Sequence, residues 1–258
     1  MFCESKYLAN SPYEGFLEFS NSFSSIALIL CALIPSFISN NHSMIYMAKS
    51  SLFLTGIGSF MFHKTGMDSW KFFDEIPMVF ISTFLMYSLY SKISHRYKKY
   101  LPFKPYICYL LTFYLFFTIW FDVTKIDTTE ITFRFLFVFP YGIMITIHSL
   151  IYGLLKNELS HTIKKLYLNT LIYALIGGVA WLIDSTLCLS IVVSHLQLHT
   201  IWHIFIAYTT HHLICINSVL FNDTVDIYWI YNILPILIDA EQVDYSEQNS
   251  QESLHMVL

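Results

Sequence analysis

The sequence carries little charge. Of its 258 residues, 12% are Asp, Glu, Lys or Arg and 55% are hydrophobic, whereas an ordinary soluble domain has about 25% charged residues. The apolar residues come in blocks of roughly 20, each long enough to cross a bilayer of about 30 Å. They do not alternate with polar residues as they would in the strands of a membrane barrel. The composition therefore predicts an integral membrane protein built of helices.

The sequence also lacks several motifs that would indicate other classes of protein. The five cysteines form no CxxC pair, so most of them are expected to be small apolar packing residues. The chain has no basic patch with interleaved aromatic residues, so no nucleic-acid partner is expected. The first 16 residues show no basic region followed by a short apolar core, so we do not expect a cleaved signal peptide.

The apolar blocks predict seven transmembrane helices, and the lysines between them predict their orientation. The spans cover about 18–38, 44–63, 72–90, 105–120, 131–155, 166–189 and 199–220, and clustered Lys and Arg fall in the odd-numbered connections. The positive-inside rule then places those connections in the cytosol. The predicted fold is an all-α integral membrane bundle of seven helices, with a lumenal or extracellular N-terminus and a cytosolic C-terminus. Its predicted parts are a lumenal segment (1–17), a membrane domain (18–221) and a cytosolic amphipathic segment with an acidic tail (222–258).

Histidines at helical spacing form the first candidate site. His199 and His203 are spaced i, i+4, so they lie one turn apart on the same face of the seventh span. Two imidazoles at this spacing can share a metal ion. A third ligand from another helix would leave one tetrahedral position open for water, as in a catalytic zinc site. His63, at the end of the second span on the same predicted side, is the best third candidate.

Other histidines provide alternatives. His195 precedes His199 by four residues, so a His195/His199 pair has the same geometry. His211 and His212 come about two turns or more deeper in the span, where they suit helix packing. A lone buried histidine bonded to a backbone carbonyl is a further interpretation for each of them.

A serine and an aspartate accompany the histidines. Ser59 precedes His63 by four residues, so its hydroxyl faces the same way, and Gly56 and Gly58 permit close approach of a helix or a substrate. Asp74 opens the third span on the same side. A metal-activated water needs a nearby base, and Asp74 is the acid best placed for that role. Helix packing for Ser59 and helix capping for the acid are the simpler alternatives.

In this order, these segments resemble the alkaline ceramidase family. That family belongs to a superfamily of seven-span membrane hydrolases that also contains the adiponectin and progestin receptors. The resemblance covers all but the C-terminal region of the chain. The matching motifs are Cys3-Glu4, Glu18-Phe19-x-Asn21, Gly58-Ser59-x-x-x-His63, Asp74-Glu75, Trp181-x-x-Asp184-x-x-x-Cys188 and His199-x-x-Trp202-His203.

The resemblance implies a role for each matching residue. It implies hydrolysis of ceramide to sphingosine and a free fatty acid by zinc-activated water. The implied roles are zinc ligand for His63, His199 and His203, oxyanion stabilisation for Ser59, general base and acid for Asp74, substrate contact for Trp202, and a lumenal disulfide between Cys3 and Cys188.

The calcium site of that family is matched incompletely. Glu4 and Glu18 match two of its ligands, but Met1 stands in place of an aspartate and Lys6 in place of an asparagine. Calcium prefers six to eight oxygen ligands. We therefore expect a degraded site with weak or absent Ca²⁺ binding, in which the Lys6 ammonium neutralises one of the glutamates instead.

The expected function is that of an intramembrane zinc-dependent amidase acting on ceramide or a related long-chain N-acyl lipid. Its expected partners are this lipid and the bilayer, and its expected location is the endoplasmic reticulum or Golgi membrane. A lipid-sensing receptor of the same superfamily, without efficient catalysis, is the first alternative. A metal transporter is a weaker alternative, because the cytosolic halves of the predicted spans are nearly bare of acidic residues.

Overall fold

The computed structural model describes residues 15–34, 43–96, 130–187, 196–220, 225–230 and 233–239. These residues are mostly helical and end in a small hairpin. The elements are α1 (Phe19–Ser24), α2 (Ile26–Leu33), α3 (Ser43–Thr65), α4 (Asp68–Arg96), α5 (Glu130–Leu155), α6 (His161–Leu187), α7 (Leu198–Val219), β1 (Val225–Ile230) and β2 (Leu234–Asp239).

The helices lie where the apolar blocks predicted them. Within the described residues, two stretches have the length and hydropathy of a membrane span, Asp68–Ile93 and His161–Thr186. Phe19–Leu33 and Pro140–Leu155 are shorter apolar helices. The helical class is thus confirmed, while a bundle of seven membrane-crossing helices stays a prediction. The predicted fourth span, 105–120, lies outside the described residues.

The predicted first span is divided at Ser25. The Ser24 and Ser25 hydroxyls both donate to the Asn21 carbonyl, at 3.0 and 2.8 Å. Serine side chains that bond to nearby carbonyls compete with the helical hydrogen-bond pattern. Ser25 therefore separates the short α1 from α2, and the polar side chains of α1 come to lie in the protein interior, where Asn21, Ser22 and Ser24 are buried.

Helix α7 lies at the centre of the described bundle. It packs against α1, α2, α3, α4 and α6, and every residue from 209 to 219 is buried. α3 and α4 form a tight antiparallel pair joined at Gly66, whose positive φ of 68° suits glycine. This arrangement places the end of α3 and the start of α4 beside the first turns of α7.

The C-terminal amphipathic segment forms a hairpin, so the all-α prediction is wrong here. β1 pairs with β2 in antiparallel register, with Tyr228 opposite Ile236 and Ile230 opposite Leu234. β1 is rich in aromatic and β-branched residues and β2 contains two isoleucines, and such residues favour an extended conformation. Leu237 is fully buried in a core cluster with residues of α6 and α7, so packing against the bundle stabilises a hairpin that would be marginal alone.

Candidate metal centre

Three histidines meet where α3 ends and α7 begins. His63 lies in the last turn of α3, and His199 and His203 lie in the first two turns of α7. All three are buried, with 2%, 6% and 5% of their surface exposed. One ring nitrogen from each lies within 4.8 Å of the other two. Within the described residues, these three side chains form a group of potential ligands that lie close enough together to hold a metal ion.

The outer ring nitrogen of each histidine contacts a polar side chain. His63 Nδ1 lies 2.5 Å from Glu18 Oε2, and His199 Nδ1 lies 3.4 Å from Asp184 Oδ2. Metal-binding histidines in proteins are typically oriented by such carboxylates, which fix the ring tautomer.

His203 is oriented by hydroxyl groups instead. Its Nδ1 lies 2.8 Å from Ser24 Oγ, and its Nε2 lies 3.4 Å from Ser59 Oγ. In His63 and His203, therefore, Nδ1 is held by a hydrogen bond from outside the cluster, which leaves Nε2 of these two rings for the shared centre.

The donor set fits zinc. Zinc accepts neutral imidazole nitrogens at about 2.0–2.1 Å in tetrahedral sites, which puts ligand nitrogens roughly 3.3 Å apart. Nitrogens that already lie within 4.8 Å of each other need only small ring movements to reach that geometry. Three protein ligands leave a fourth position for water or substrate, the arrangement typical of catalytic rather than structural zinc.

Ser59 lies directly beside this centre. It occupies the α3 face one turn before His63 and is fully buried. Its Oγ lies 3.1 Å from Ser25 Oγ. A hydroxyl held in this way, away from water and next to the three rings, can donate to an oxygen atom bound at the centre.

Asp74 is the acid nearest to this serine. It lies in the second turn of α4 and is partly exposed. Ser59 is its hydrogen-bonding neighbour, and the ring of His63 and the ammonium of Lys71 lie close enough to interact with its charge. The carboxylate is therefore held beside the histidine centre, where it can exchange a proton with a group bound there.

Sequence reasoning assigned Glu18 to a calcium site and gave no supporting role to Asn21, Ser24 or Ser25. Asn21 Nδ2 donates to Glu18 Oε2 at 3.0 Å, and Thr200 Oγ1 donates to Asn21 Oδ1 at 3.2 Å. The sequence contained a signal for this cluster, because Glu18, Asn21 and Ser25 are spaced i, i+3, i+7 on one face of an otherwise apolar segment. Glu18 contacts His63 in this structure, and its predicted role as a calcium ligand stays a prediction.

The remaining candidate residues fall into two groups. Trp202 is buried in a core cluster with residues of α2, α3, α4 and α5, and its contact with substrate stays a prediction. Cys3, Glu4, Lys6, Cys188 and His195 lie outside the described residues.

The two deeper histidines of α7 are backbone-bonded. His211 Nε2 lies 2.8 Å from the Pro235 carbonyl oxygen, and His212 Nδ1 lies 2.8 Å from the Tyr208 carbonyl oxygen. Each ring nitrogen donates to its carbonyl, as the helix-packing interpretation of these residues implies. Neither histidine joins the metal centre.

Comparison with known proteins shows which family the chain belongs to. Residues 1–232 match the family model named Ceramidase, a stretch that contains all three histidines, Ser59 and Asp74. The chain is also 24% identical over 242 residues to a Dictyostelium discoideum protein named "Putative alkaline ceramidase dcd3A", with 81% of this chain and 82% of that protein covered. The chain therefore belongs to the alkaline ceramidase family, a family of hydrolases that act on amide bonds.

Proposed function

We propose that this protein is an intramembrane zinc amidase that hydrolyses ceramide to a sphingoid base and a free fatty acid. The observation that carries the proposal is the buried cluster of His63, His199 and His203 beside Ser59 and Asp74, within a chain of the ceramidase family. A ceramide contains one amide bond, and its hydrolysis consumes one water molecule. The site must therefore activate a water, stabilise the developing oxyanion and protonate the leaving nitrogen.

The three histidines hold the metal. Zinc bound there supplies Lewis-acid activation of a water molecule and of the amide carbonyl. Glu18 accepts a hydrogen bond from His63 Nδ1, and the Asp184 carboxylate lies 3.4 Å from His199 Nδ1. Each carboxylate thus orients its imidazole and increases the electron density on the ligating nitrogen.

Ser59 stabilises charge on the carbonyl oxygen of the substrate. When water adds to the carbonyl carbon, the oxygen becomes negatively charged and needs a hydrogen-bond donor. The Ser59 hydroxyl is buried, with Ser25 Oγ at 3.1 Å and the Asp74 carboxylate as its hydrogen-bonding neighbour. In the reaction its proton turns from this carboxylate to the oxyanion.

Asp74 moves the proton. Its carboxylate removes a proton from the attacking water as the new carbon–oxygen bond forms. It then returns this proton to the amide nitrogen as the carbon–nitrogen bond breaks, so that the amine leaves as a neutral group. The contact of Asp74 with Ser59 keeps it beside the carbonyl that is attacked.

The bilayer supplies the substrate. A ceramide has two long chains, and moving them into water costs about 0.8 kcal/mol for each CH₂ group. Helices α4 and α6 contain stretches with the length and hydropathy of membrane spans. We propose that the protein lies in the endoplasmic reticulum or Golgi membrane and receives ceramide laterally between its helices.

The experiment compares the wild type with His203→Ala and His212→Ala. His212 is a matched control because it is a buried histidine of the same helix that is bonded to backbone instead of facing the centre. We expect about one zinc per chain and ceramide hydrolysis in the wild type and in His212→Ala, and loss of both in His203→Ala. Zinc is counted by elemental analysis of protein purified in detergent, and fatty-acid release is followed by mass spectrometry.

Each outcome that differs from this expectation contradicts a different part of the proposal. A wild type that holds zinc but cleaves no amide lipid would favour a lipid-sensing receptor over the amidase. A wild type without zinc, purified in the absence of chelators, would contradict the metal centre itself. If His203→Ala keeps its zinc, the assignment of His203 as a ligand is wrong, whether or not the variant hydrolyses ceramide.

A further inference from the structure

Apart from Asp226 and Asp239 near the strand ends, the hairpin of β1 and β2 carries apolar residues on both faces. Residues of one face pack on the bundle: Leu237 is fully buried, and Ile227 and Trp229 pack against the same cluster. The pairing register places Tyr228 beside Ile236 and Ile230 beside Leu234 on the other face. On that outer face Tyr228 is 47% exposed and Ile230 is 41% exposed. A hairpin in water normally alternates apolar with polar residues, so the outer face of this one is unusual.

The hairpin is held firmly in this orientation. The His211 ring on α7 donates a hydrogen bond to the Pro235 carbonyl at 2.8 Å. The Lys165 ammonium lies over the Trp229 ring, 4.1 Å from its centroid. With its inner face fixed to α6 and α7 in this way, the hairpin cannot turn its outer face towards the protein.

The hairpin packs beside the start of a helix that exposes a larger apolar surface. One face of α6 exposes a row of large apolar side chains at helical spacing, of which Leu175 is the most exposed at 68%. Such a row on a helix with the length and hydropathy of a membrane span is the pattern of a lipid-facing surface. The row consists of Leu168, Ile172, Leu175, Ile176, Val179 and Leu182.

The position of the hairpin along this row matches the edge of a bilayer. Lys165 lies just before the first residue of the row and is the residue that contacts Trp229. Trp, Tyr and Lys are the side chains that concentrate where hydrocarbon meets the headgroups. Lys156 and Lys164 lie in the same region of the chain, between the end of α5 and the row, and lysines near a membrane surface attract anionic lipids.

We propose that the outer face of the hairpin inserts into the boundary between headgroups and acyl chains of the leaflet opposite the metal centre. The centre lies at the first turns of α7, whereas the hairpin contacts α7 at His211, so the two sites lie towards opposite ends of that helix. The occupant is lipid, because the hairpin packs on α6 directly before the first residue of this row and Lys165 lies at the same level of the helix. The inference rests on the membrane location in the proposed function and is independent of the chemistry at the histidines.

Photocrosslinking in lipid nanodiscs tests this proposal. The photoreactive amino acid p-benzoylphenylalanine replaces Tyr228 or Ile230 in separate variants of the full chain, and the nanodiscs contain phosphatidylcholine and phosphatidylserine. Leu175, in the middle of the row on α6, is the positive control for lipid contact. Asn157, exposed in the turn between α5 and α6, is the control for a polar position in the same region of the chain.

We expect lipid adducts at Tyr228 and Ile230 at a yield similar to that at Leu175 and several-fold above that at Asn157. Adduct yields at the level of Asn157, with Leu175 still labelled, would show that water covers the hairpin and would overturn the proposal alone. A crosslinked dimer would show that a second copy covers it. Absence of adducts at Leu175 as well would contradict the membrane location on which both proposals depend. Because Tyr228 and Ile230 are exposed, their replacement removes little packing, and each position gives an independent result.

Discussion

Gly58 of α3 packs directly against the backbone of α4 at Asp74. A Cβ atom added to Gly58 would lie 2.5 Å from the Asp74 nitrogen and would also overlap the backbone of Phe73. No side chain fits in this space, so the two helices approach this closely only because residue 58 is a glycine. The following residue is Ser59, and the close approach is what brings its hydroxyl to the Asp74 carboxylate.

Gly58→Ala is therefore expected to damage both stability and activity. An overpacked contact typically costs about 1–3 kcal/mol, and a catalytic group displaced by about 1 Å can lose roughly 100-fold in rate. Thermal unfolding in detergent and ceramide hydrolysis measure the two effects. Gly178→Ala is the matched control, because a Cβ added to Gly178 on α6 meets no atom within 4 Å. Equal behaviour of the two variants would contradict the close packing of α3 and α4.

Glu18→Gln should weaken metal binding without unfolding the protein. The substitution keeps the size of the side chain but removes the charge that faces His63 Nδ1. Loss of such a supporting carboxylate typically lowers metal affinity about 10–100-fold. Competition with a zinc chelator measures this affinity. Glu158→Gln, on the exposed turn after α5, should leave the affinity unchanged, and a similar change in both variants would exclude a supporting role for Glu18.

Asp74→Asn should separate metal binding from catalysis. The amide cannot accept the proton of water, so hydrolysis is expected to fall by about 10²–10⁴-fold, the usual contribution of a general acid–base group. The zinc content should stay at the wild-type value, because Asp74 is not one of the three grouped ligands. Zinc analysis and ceramide assays of the same protein preparation distinguish a proton-transfer role of Asp74 from a metal-ligand role. Loss of zinc along with activity would make Asp74 a ligand instead of a proton carrier.

Ser59→Ala should lower the rate of hydrolysis while zinc remains bound. Removal of one oxyanion donor typically costs about 10²–10³-fold in kcat. Ser149→Ala is a suitable control, since the Ser149 hydroxyl only donates to the Ile145 carbonyl within α5. The measurement is kcat for ceramide. An unchanged kcat in Ser59→Ala would assign this serine to helix packing.

Calcium should have little effect on this protein. The sequence has Met1 and Lys6 where two calcium ligands of the family are expected. Glu18, one of the two matching glutamates, contacts His63 and Asn21 through its Oε2 atom. We expect micromolar calcium to leave the thermal unfolding temperature and the ceramide hydrolysis rate unchanged in zinc-loaded protein. A rise in either quantity would show a functional calcium site.

The histidine centre was predictable from sequence because helices have a regular period. His199 and His203 must share a helix face wherever α7 forms, and Ser59 and His63 must do so on α3. The predicted membrane orientation placed both pairs on one side. Buried polar side chains in apolar segments are costly and rarely scattered, so grouping them was physically justified.

The side-chain contacts that orient the histidines could not be predicted from helical spacing. The contact of Glu18 with His63 depends on how α1 meets the end of α3, where the backbone nitrogen of Glu18 donates to the His63 carbonyl at 3.0 Å. No helical period determines a contact between separate elements. The family pattern also favoured a calcium role for Glu18, which drew attention away from the imidazole.

The hairpin was missed for a different reason. The segment from Ile227 to Leu237 alternates side chains between two faces, and the paired residues on both faces are apolar. A period of two cannot be seen in hydropathy when the residues of neither face are polar. Branched and aromatic residues were the remaining signal for strands, and the expectation of an all-helical membrane protein outweighed it.

The hydrogen bond between Ser24 and His203 joins positions 179 residues apart in the chain. One side of the centre is made early in translation and the other only when α7 emerges, so no shorter nascent chain contains the complete site. Loop closure over this length costs entropy that a zinc ion, by joining α3 to α7, would offset. Metal uptake would then follow the emergence of α7 and mark the point at which α3 and α7 have come together.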